Sequence, residues 1–460
     1  MRLAKIAVEA ATYAIDKPYT YLVPEDMTLA VGCRVLVPFG RGNRVSEGMV
    51  LELTEDLPSG PVKAVRLNVD GDPIASQQEI KMALWMRQRY FCTFYDAIRT
   101  ILPAAVWYRY KESWQALSPI VEGLSRRESA VLRLLQDGAL ETDTVVQQVG
   151  ESAITALYSL EKRGLVARHT QSSRNVSDKH VTLVSLAVSV EEALSWADAN
   201  RRSAKMCDVL RFLTQQRETT MQELTYFTGA SRASVTALEK RGLVSLRQQE
   251  QYRITQRDYT QSAPPITLND AQQRVFEDML QRTESGKAGV TLLHGVTGSG
   301  KTLIYIRLAQ ALLERGKTVM ILVPEIALTP QMMARFTAYF GEKVALLHSG
   351  LRMTERYDQW KRIRRGEATV VLGTRSAVFA PLQNIGLIVL DEEQESSYES
   401  ESSPSYHARD IAKYRCLAEK AQLLLGSATP TVESAYYAEQ GDYHLAQLPS
   451  RYNCHSLPRV

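Results

Sequence analysis

The segment GVTGSGKT, residues 295–302, constrains the fold more than any other part of the sequence. It fits the pattern G-x-x-x-x-G-K-[ST] and stands between an apolar run, VTLLH, and a helix-like run, LIYIRLAQALLE. Glycines in such a loop let backbone N–H groups curl around phosphates at a helix N-terminus. The sequence therefore predicts a P-loop that joins a strand to a helix.

The P-loop predicts a nucleotide site with Mg²⁺. Lys301 would reach the β- and γ-phosphates, and the hydroxyl of Thr302 would bind the metal ion. The residues predicted to bind nucleotide here are Gly295, Val296, Thr297, Gly298, Ser299, Gly300, Lys301 and Thr302. Gln272 precedes the first strand, and its paired donor and acceptor suit the adenine edge.

The segment LIVLDEE, residues 387–393, predicts the acidic half of the same site. Asp391 is the last residue of an apolar strand. A carboxylate at this position holds Mg²⁺, usually through water. Glu392 would orient or deprotonate the attacking water. Three successive acids are more often a solvated loop, but the apolar strand before them and the P-loop upstream favour an ATPase. The predicted catalytic residues are Lys301, Asp391 and Glu392.

Residues 270–448 alternate apolar strands with helix-like segments, which predicts a parallel, doubly wound sheet. Three segments, VPEIALTP, GTRSAVFAP and GSATP, each follow a strand, so their loops should line one face of the sheet. Thr374 and Arg375 offer donors for phosphate oxygens along DNA. This order after a P-loop favours a nucleic-acid motor over a kinase of small molecules.

The first 258 residues precede this pattern and divide into β-rich and repeated parts. Residues 1–70 are rich in β-branched and aromatic residues, and residues 76–103 read as helical. LEKRGLV at 160–166 returns at 238–244, each time after two helix-like runs, which predicts two winged-helix modules. Whether these modules contact DNA or protein stays open.

Composition places this chain in a reducing compartment. The formal net charge is +4, which permits a nucleic-acid partner without requiring one. The five cysteines form no C-x-x-C pair, so neither a disulfide framework nor a zinc site is predicted. No signal peptide or apolar run long enough to span a bilayer is present in the sequence, and we expect a cytoplasmic, nucleoid-associated protein without a membrane partner.

The motifs GVTGSGKT, VPEIALTP, LLHSGL, GTRSAVFAP, LDEE, YHARD and GSATP together resemble those of the PriA-type replication-restart helicases of superfamily 2. The resemblance covers nearly the whole chain. It implies an α/β P-loop (RecA-like) motor lobe with an N-terminal β-rich DNA-binding domain and winged-helix (α+β) modules. The expected boundaries are 1–105 for a 3′-DNA-binding domain with a helical end, 106–190 and 191–258 for the winged helices, 259–269 for a linker, 270–450 for the motor lobe and 451–460 for the start of a second lobe.

The resemblance also implies residues that bind DNA. Gly40 and Lys63 match the family's pocket for a DNA 3′ end, and Thr20 stands where the family usually has Asp. The loop after the acids resembles an aromatic-rich loop that senses single-stranded DNA. The stacking and cationic groups available to that loop are Tyr398, Tyr406, His407 and Arg409.

Three further residues are expected to couple hydrolysis to DNA movement. Ser427 and Thr429 lie in GSATP, and Gln394 stands where the family usually has His. Gln394 can still donate and accept hydrogen bonds between the acidic motif and GSATP, although it cannot carry charge.

The function implied is a 3′-to-5′ DNA helicase that recognises stalled or branched forks and initiates primosome assembly. Its expected ligands are ATP, Mg²⁺, forked and single-stranded DNA, primosome proteins and single-stranded-DNA-binding protein. The family's zinc-binding cysteines and arginine finger lie in a second lobe, so we expect this chain to be the N-terminal portion of a longer helicase without them. The alternative is a fork-binding scaffold that binds nucleotide without productive hydrolysis.

Overall fold

The computed structural model describes residues 2–40, 43–55, 60–119, 121, 123–150, 152–174, 179–253 and 263–452. Contacts divide the chain into two units, one formed by residues 1–175 and 256–460 and the other by residues 176–255. Most of the expected start of a second lobe, residues 453–460, and residues 259–262 of the expected linker lie outside the described ranges. No helix within the described ranges is long and apolar enough to cross a membrane.

The N-terminal domain is a five-stranded antiparallel sheet in the order β2-β1-β4-β3-β5, which confirms the predicted β-rich domain. The strands are β1 Leu3–Val8, β2 Tyr19–Leu22, β3 Arg34–Phe39, β4 Arg44–Thr54 and β5 Leu67–Asn68. The predicted helical end consists of two helices, α1 Gln77–Arg89 and α2 Phe94–Ile101. Each begins with a capping box, from Ser76 and Thr93, so the break between them is encoded locally.

Arg34 on β3 carries a charge inside this domain. Its side chain is fully buried, and it forms two hydrogen bonds to Asp70, of 2.7 and 3.1 Å, and one to the carbonyl oxygen of Val106. Oε1 of Glu47 lies 3.5 Å from Nη1 of Arg34. A buried cation needs such partners because its desolvation is costly.

We predict that Asp70→Ala lowers the free energy of local unfolding of β3 by about 3 kcal/mol, since it leaves the buried guanidinium short of a partner. Hydrogen exchange of the β3 amides measures this. The matched control is Lys5→Ala, which removes an ion pair with Glu52 that is about half exposed and should cost less than about 1 kcal/mol. Equal effects of the two variants would contradict the prediction.

The helical end of this domain shares a core with the motor lobe described below. Buried side chains of α1 and α2 form one continuous cluster with side chains from the lobe's sheet. Trp85 stacks on Tyr414 with ring centroids 4.6 Å apart, and Arg364 donates to the carbonyl oxygens of Pro73 and Ile74. The N-terminal domain is therefore packed against the lobe by apolar contact as well as by hydrogen bonds.

The first winged helix is a three-stranded sheet, in the order β7-β6-β8, with three helices. Its elements are β6 Tyr108–Ala116, α3 Arg126–Leu134, β7 Leu140–Glu141, α4 Thr142–Val149, α5 Ala153–Lys162 and β8 Val166–Arg174. The helix α5 is followed by its C-cap, Arg163, and then by the predicted glycine, Gly164, which has a φ of 71°.

The second unit repeats this arrangement, with sheet order β10-β9-β11 and an additional helix. Its elements are β9 His180–Leu186, α6 Val190–Ala199, α7 Ala204–Gln215, β10 Glu218–Thr220, α8 Met221–Thr228, α9 Arg232–Lys240 and β11 Val244–Glu250. The expected boundary at residue 190 is wrong, because β9 pairs with β10 and β11 of the second module. Each module has one strand ahead of its helices. In the first module that strand is β6, and in the second module it is β9.

The motor lobe contains a parallel sheet in the order β14-β15-β13-β16-β17-β12-β18, which confirms the predicted α/β fold. The last strand, β18, pairs with β12 at one edge of the sheet. The elements are α10 Asp270–Glu284, β12 Gly289–Gly295, α11 Lys301–Glu314, β13 Thr318–Leu322, α12 Pro330–Phe340, β14 Val344–Leu347, α13 Met353–Arg364, β15 Val370–Gly373, β16 Ile385–Asp391, α14 Ala408–Glu419, β17 Gln422–Ser427, α15 Val432–Gln440 and β18 His444–Leu448.

Candidate functional site

The P-loop lies where the sequence predicts it, between β12 and α11. Gly300 is the N-cap of α11 with a φ of 82°, and a Cβ there would lie 2.4 Å from Nε2 of Gln272. Both the backbone angle and the close approach therefore require glycine. The side chain of Lys301 is buried, and its Nζ donates to the carbonyl oxygen of Gly295 at 3.0 Å.

Gln272 is fully buried against this loop. Its Nε2 donates to the carbonyl oxygen of Ser299 at 2.8 Å, and its Oε1 accepts from the backbone N–H of Asn269 at 3.0 Å. Gln272 is the third residue of α10, and together with the N-cap residue Asn269 it forms the capping box of that helix. The amide is engaged on both sides, so reading adenine would require it to exchange one of these bonds.

Asp391 ends β16 as predicted, and its carboxylate is largely buried. The hydroxyl of Tyr305, which lies one turn after Lys301 on α11, donates to its Oδ1 at 2.9 Å. Burial raises the pKa of the Asp391 carboxyl to about 6, and this hydrogen bond opposes the rise. Gly426 makes room for the pair, since a Cβ there would lie 1.9 Å from the Tyr305 hydroxyl oxygen.

Tyr305 is a residue that the sequence reasoning missed. The signal was available, because a polar hydroxyl four residues after the P-loop lysine lies on the same face of the helix. It was hidden by the otherwise apolar helix, in which a tyrosine is an ordinary core residue.

Asp391 and Thr302 are the residues expected to hold Mg²⁺. Thr302 is the second residue of α11 and half-buried. A carboxylate and a hydroxyl are hard oxygen donors, which suit Mg²⁺ together with phosphate oxygens. Within the described ranges no three His, Cys, Asp or Glu side chains cluster to hold a metal ion.

We predict that Tyr305→Phe weakens Mg²⁺-dependent binding of a fluorescent ATP analogue by about tenfold. Loss of the hydroxyl leaves the buried carboxylate without the donor that orients it, and outer partners of metal ligands typically have effects of this size. Titration with Mg²⁺ at fixed analogue concentration measures the change. Tyr436→Phe, at an exposed position of α15, is the matched control; an unchanged Mg²⁺ requirement in Tyr305→Phe would contradict the role.

Glu392 follows Asp391 in the left-handed region, with a φ of 48°, which non-glycine residues rarely adopt. This turn brings its Oε1 to 3.6 Å from Nζ of Lys301. Its Oε2 accepts a hydrogen bond of 3.1 Å from Nε2 of Gln394. The second predicted acid thus lies beside the P-loop lysine.

Gln394 bridges the acidic motif to GSATP. Besides donating to Glu392, it accepts at Oε1 a hydrogen bond of 2.6 Å from the Ser427 hydroxyl. Ser427 Oγ in turn accepts from the backbone N–H of Thr429 at 2.9 Å. The structure therefore brings together Glu392 and all three residues expected to couple hydrolysis to DNA movement in one hydrogen-bonded path.

We predict that Gln394→Leu lowers DNA-stimulated ATP hydrolysis by roughly tenfold, equivalent to about 1.4 kcal/mol, and leaves nucleotide affinity unchanged. Leucine fills similar space but removes both hydrogen bonds of the bridge. Gln394→His should retain the stimulation, because imidazole also donates and accepts. Gln383→Leu, at an exposed glutamine of the same lobe, is the control; full stimulation of Gln394→Leu would rule out the bridge.

The third acid, Glu393, joins the site to two helices and was not predicted. It is buried, and its carboxylate accepts from the backbone N–H of Thr431 at 2.8 Å and from the Ser434 hydroxyl at 3.0 Å. Thr431 is the N-cap of α15, where a carboxylate is favoured by the helix dipole. Nη1 of Arg409, at the start of α14, lies 3.5 Å from Oε2 of Glu393.

Two of the expected DNA-stacking residues are buried, which corrects their prediction. Tyr398 is fully buried, and its hydroxyl donates to the carbonyl oxygens of Asp391 and Leu322, at 2.7 and 3.0 Å. Tyr406 is 4% exposed and packs edge-on against Phe379. Rings held in the core have no face free to stack on a base.

The expected cationic groups are also engaged within the protein. Arg409 is buried between Glu393 and Glu433, the latter at 2.5 Å, so it is a structural cation rather than a free DNA contact. His407 is the N-cap of α14, and its Nδ1 accepts from the backbone N–H of Arg409. Burial lowers the pKa of His407, and the neighbouring Arg409 cation lowers it further.

Thr374 and Arg375 follow β15 as expected. Thr374 is buried as the N-cap of a 3₁₀ turn, and Arg375 donates from Nη1 to the carbonyl oxygens of Ser397 and Glu399. Arg375 therefore already holds the loop that follows the acids. Any contact with a DNA phosphate would compete with these carbonyls.

The expected residues of the 3′-end pocket, Gly40 and Lys63, lie together in the N-terminal domain. Nζ of Lys63 donates to the carbonyl oxygen of Gly40 at 2.7 Å, and both residues are exposed. Gly40 has a φ of 68°, which favours glycine. Phe39, next to Gly40, packs edge-on against Tyr19 with centroids 5.0 Å apart.

Two family models match this chain. The 3'DNA-binding domain (3'BD) model of PriA matches residues 5–103, and the DEAD/DEAH box helicase model matches residues 269–436. The first therefore covers the sheet and helical end that contain Gly40 and Lys63. The second covers the P-loop, the acidic motif and GSATP.

Curated relatives match along the whole chain. The replication restart protein PriA of Bacillus subtilis is 35% identical and covers 100% of this chain and 57% of its own length. The PriA proteins of Synechocystis and Haemophilus influenzae are 31% and 30% identical, covering 98% and 97% of this chain and 56% and 52% of their own. The chain thus spans about half the length of these relatives, and it belongs to the PriA family of replication restart proteins.

Proposed function

We propose that this chain is the ATP- and DNA-binding part of a 3′-to-5′ DNA helicase that recognises stalled or branched forks and initiates primosome assembly. The observation that carries the proposal is the path from Glu392 through Gln394 to Ser427. A path between the position of the attacking water and GSATP is what an ATPase coupled to DNA movement requires.

The residues divide the chemistry of ATP hydrolysis between them. Nζ of Lys301 donates a hydrogen bond to the carbonyl oxygen of Gly295. When ATP binds, it would donate to the β- and γ-phosphates instead. Glu392 would accept a hydrogen bond from the attacking water and orient it toward the γ-phosphorus. Bound Mg²⁺ supplies charge neutralisation of the phosphates, and Asp391, oriented by Tyr305, would hold it.

The DNA side of the proposal involves the turn of residues 396–398. Arg375 holds the carbonyl oxygens of Ser397 and Glu399, and the Tyr398 hydroxyl anchors the same turn to the backbone of Asp391. A DNA phosphate that draws Arg375 away would release the turn beside the acidic motif. Arg375 is therefore our proposed DNA contact, with Thr374 as the residue that positions it.

The N-terminal domain would supply fork recognition. Lys63, whose Nζ donates to the carbonyl oxygen of Gly40, supplies an exposed cation suited to a DNA 3′ end. Branched and single-stranded DNA are the proposed nucleic-acid partners. Primosome proteins and single-stranded-DNA-binding protein are proposed as protein partners from the family alone.

The test is ATP hydrolysis by this chain with and without forked DNA. We predict stimulation by DNA that falls by about 100-fold or more in Lys301→Ala, because that variant removes the cation aimed at the transferred phosphate. Lys287→Ala, at an exposed lysine before β12, should keep the stimulation.

The alternative is a fork-binding scaffold that binds nucleotide without hydrolysing it. It predicts fork binding and ATP-analogue binding with no hydrolysis at any DNA concentration. That outcome would overturn the enzymatic proposal and favour the scaffold.

A further inference from the structure

Two aromatic side chains of the N-terminal domain are exposed side by side. Phe91 is 91% exposed and Tyr13 is 52% exposed, and their ring centroids lie 6.5 Å apart. Ile15, two residues after Tyr13, is 49% exposed. Phe91 and Tyr13 belong neither to the P-loop site nor to the proposed 3′-end site at Gly40 and Lys63.

The exposure of Phe91 is built into the turn between α1 and α2. Tyr90, the C-cap of α1, is in an extended conformation and packs edge-on against Trp85 in the core. Cys92 is buried as well. Phe91 lies in the turn between these two residues, and its ring faces solvent.

A series of contacts connects the pair to Gly40 of the proposed 3′-end site. Phe39, the neighbour of Gly40, contacts the ring of Tyr19. The hydroxyl of Tyr19 donates to the carbonyl oxygen of Ile15 at 2.5 Å, which places the short turn of residues 13–15 beside it. Tyr13 in that turn then contacts Phe91.

A cation accompanies these rings. Lys17 is exposed, and its Nζ lies 5.8 Å from the centroid of the Tyr19 ring. With Lys63 at the pocket, the surface thus combines exposed rings with lysines. Aromatic rings for bases and cations for phosphates are the combination that binds single-stranded DNA without sequence preference.

We infer that Tyr13 and Phe91 form a stacking platform for the nucleotides that precede the 3′ terminus of a single-stranded DNA end. The inference rests on the proposed function, in which Gly40 and Lys63 receive the terminal nucleotide. The strand would run from that pocket past Tyr19 and Lys17, so that its next bases stack on the exposed rings.

DNA fits this surface better than a protein partner does. A stable protein–protein interface needs roughly 800 Å² from each side, whereas three exposed apolar side chains form a much smaller apolar patch. Two exposed rings are sufficient for stacked bases, because each base offers a π-face of similar size.

The experiment uses the whole chain and single-stranded oligonucleotides with a free 3′ hydroxyl, in which 2-aminopurine replaces the terminal base or one of the preceding bases. We expect quenching at a preceding position that disappears in Phe91→Ala and Tyr13→Ala, with affinity weakened by about tenfold. Phe91→Leu, which keeps an apolar side chain without a ring, should behave like Phe91→Ala. Tyr226→Ala removes an 82% exposed ring of the second winged helix and should leave the signal unchanged.

The terminal probe separates this inference from the proposed function. If the terminal base responds to Lys63→Ala but preceding bases never respond to Phe91→Ala or Tyr13→Ala, the platform is refuted and the pocket stands. If Phe91→Leu retains the wild-type signal, apolar docking rather than stacking explains the patch, and the inference is overturned. If neither probe responds in the unaltered chain, the proposed 3′-end function fails with it.

Discussion

The buried carboxylate of Asp391 is the constraint on which the motor site depends. A carboxylate at the end of a buried strand loses its hydration and needs donors within the protein. Tyr305 supplies one, but only because β17 carries no side chain at Gly426, where a Cβ would lie 1.9 Å from the tyrosine hydroxyl oxygen. One carboxylate therefore fixes residue types in three segments that are far apart in the sequence: the helix after the P-loop, the acidic strand and GSATP.

The local parts of this site could be predicted from the sequence. A strand, a glycine-rich loop and a helix follow each other directly, so the positions of Lys301 and Thr302 need no knowledge of tertiary structure. The bridging role of Gln394 followed from its functional groups, since an amide can donate on one side and accept on the other. The order of the strands could not be predicted, because it depends on which segments the folded sheet brings together. Tyr305 gave only a weak signal as the partner of Asp391, because tyrosine is an ordinary core residue in an apolar helix.

Aromatic residues show the limit of the sequence most clearly. Tyr398 and Tyr406 lie in a polar, serine-rich segment whose composition favours exposure, yet tertiary packing buries both. Phe91 lies in a segment that reads as helical and apolar, yet the turn between α1 and α2 exposes it. Whether a ring is buried depends on how the residues on either side of it pack in the folded protein. The average composition of a segment does not carry this information. The misplaced strand β9 has the same origin, since its pairing partners follow it in the chain by more than thirty residues.

The first turn of α14 contacts both the acidic motif and the helical end of the N-terminal domain. Arg409 pairs with Glu393 of the acidic motif, and its neighbour Asp410 pairs with Arg89 of α1 at 3.1 Å. Exposed ion pairs such as Arg89–Asp410 contribute little by themselves, but the stack of Trp85 on Tyr414 one turn later is half-buried and joins the same two helices. The apolar stack therefore contributes more than the exposed ion pair to the contact between α1 and α14, and α14 connects that contact to Glu393.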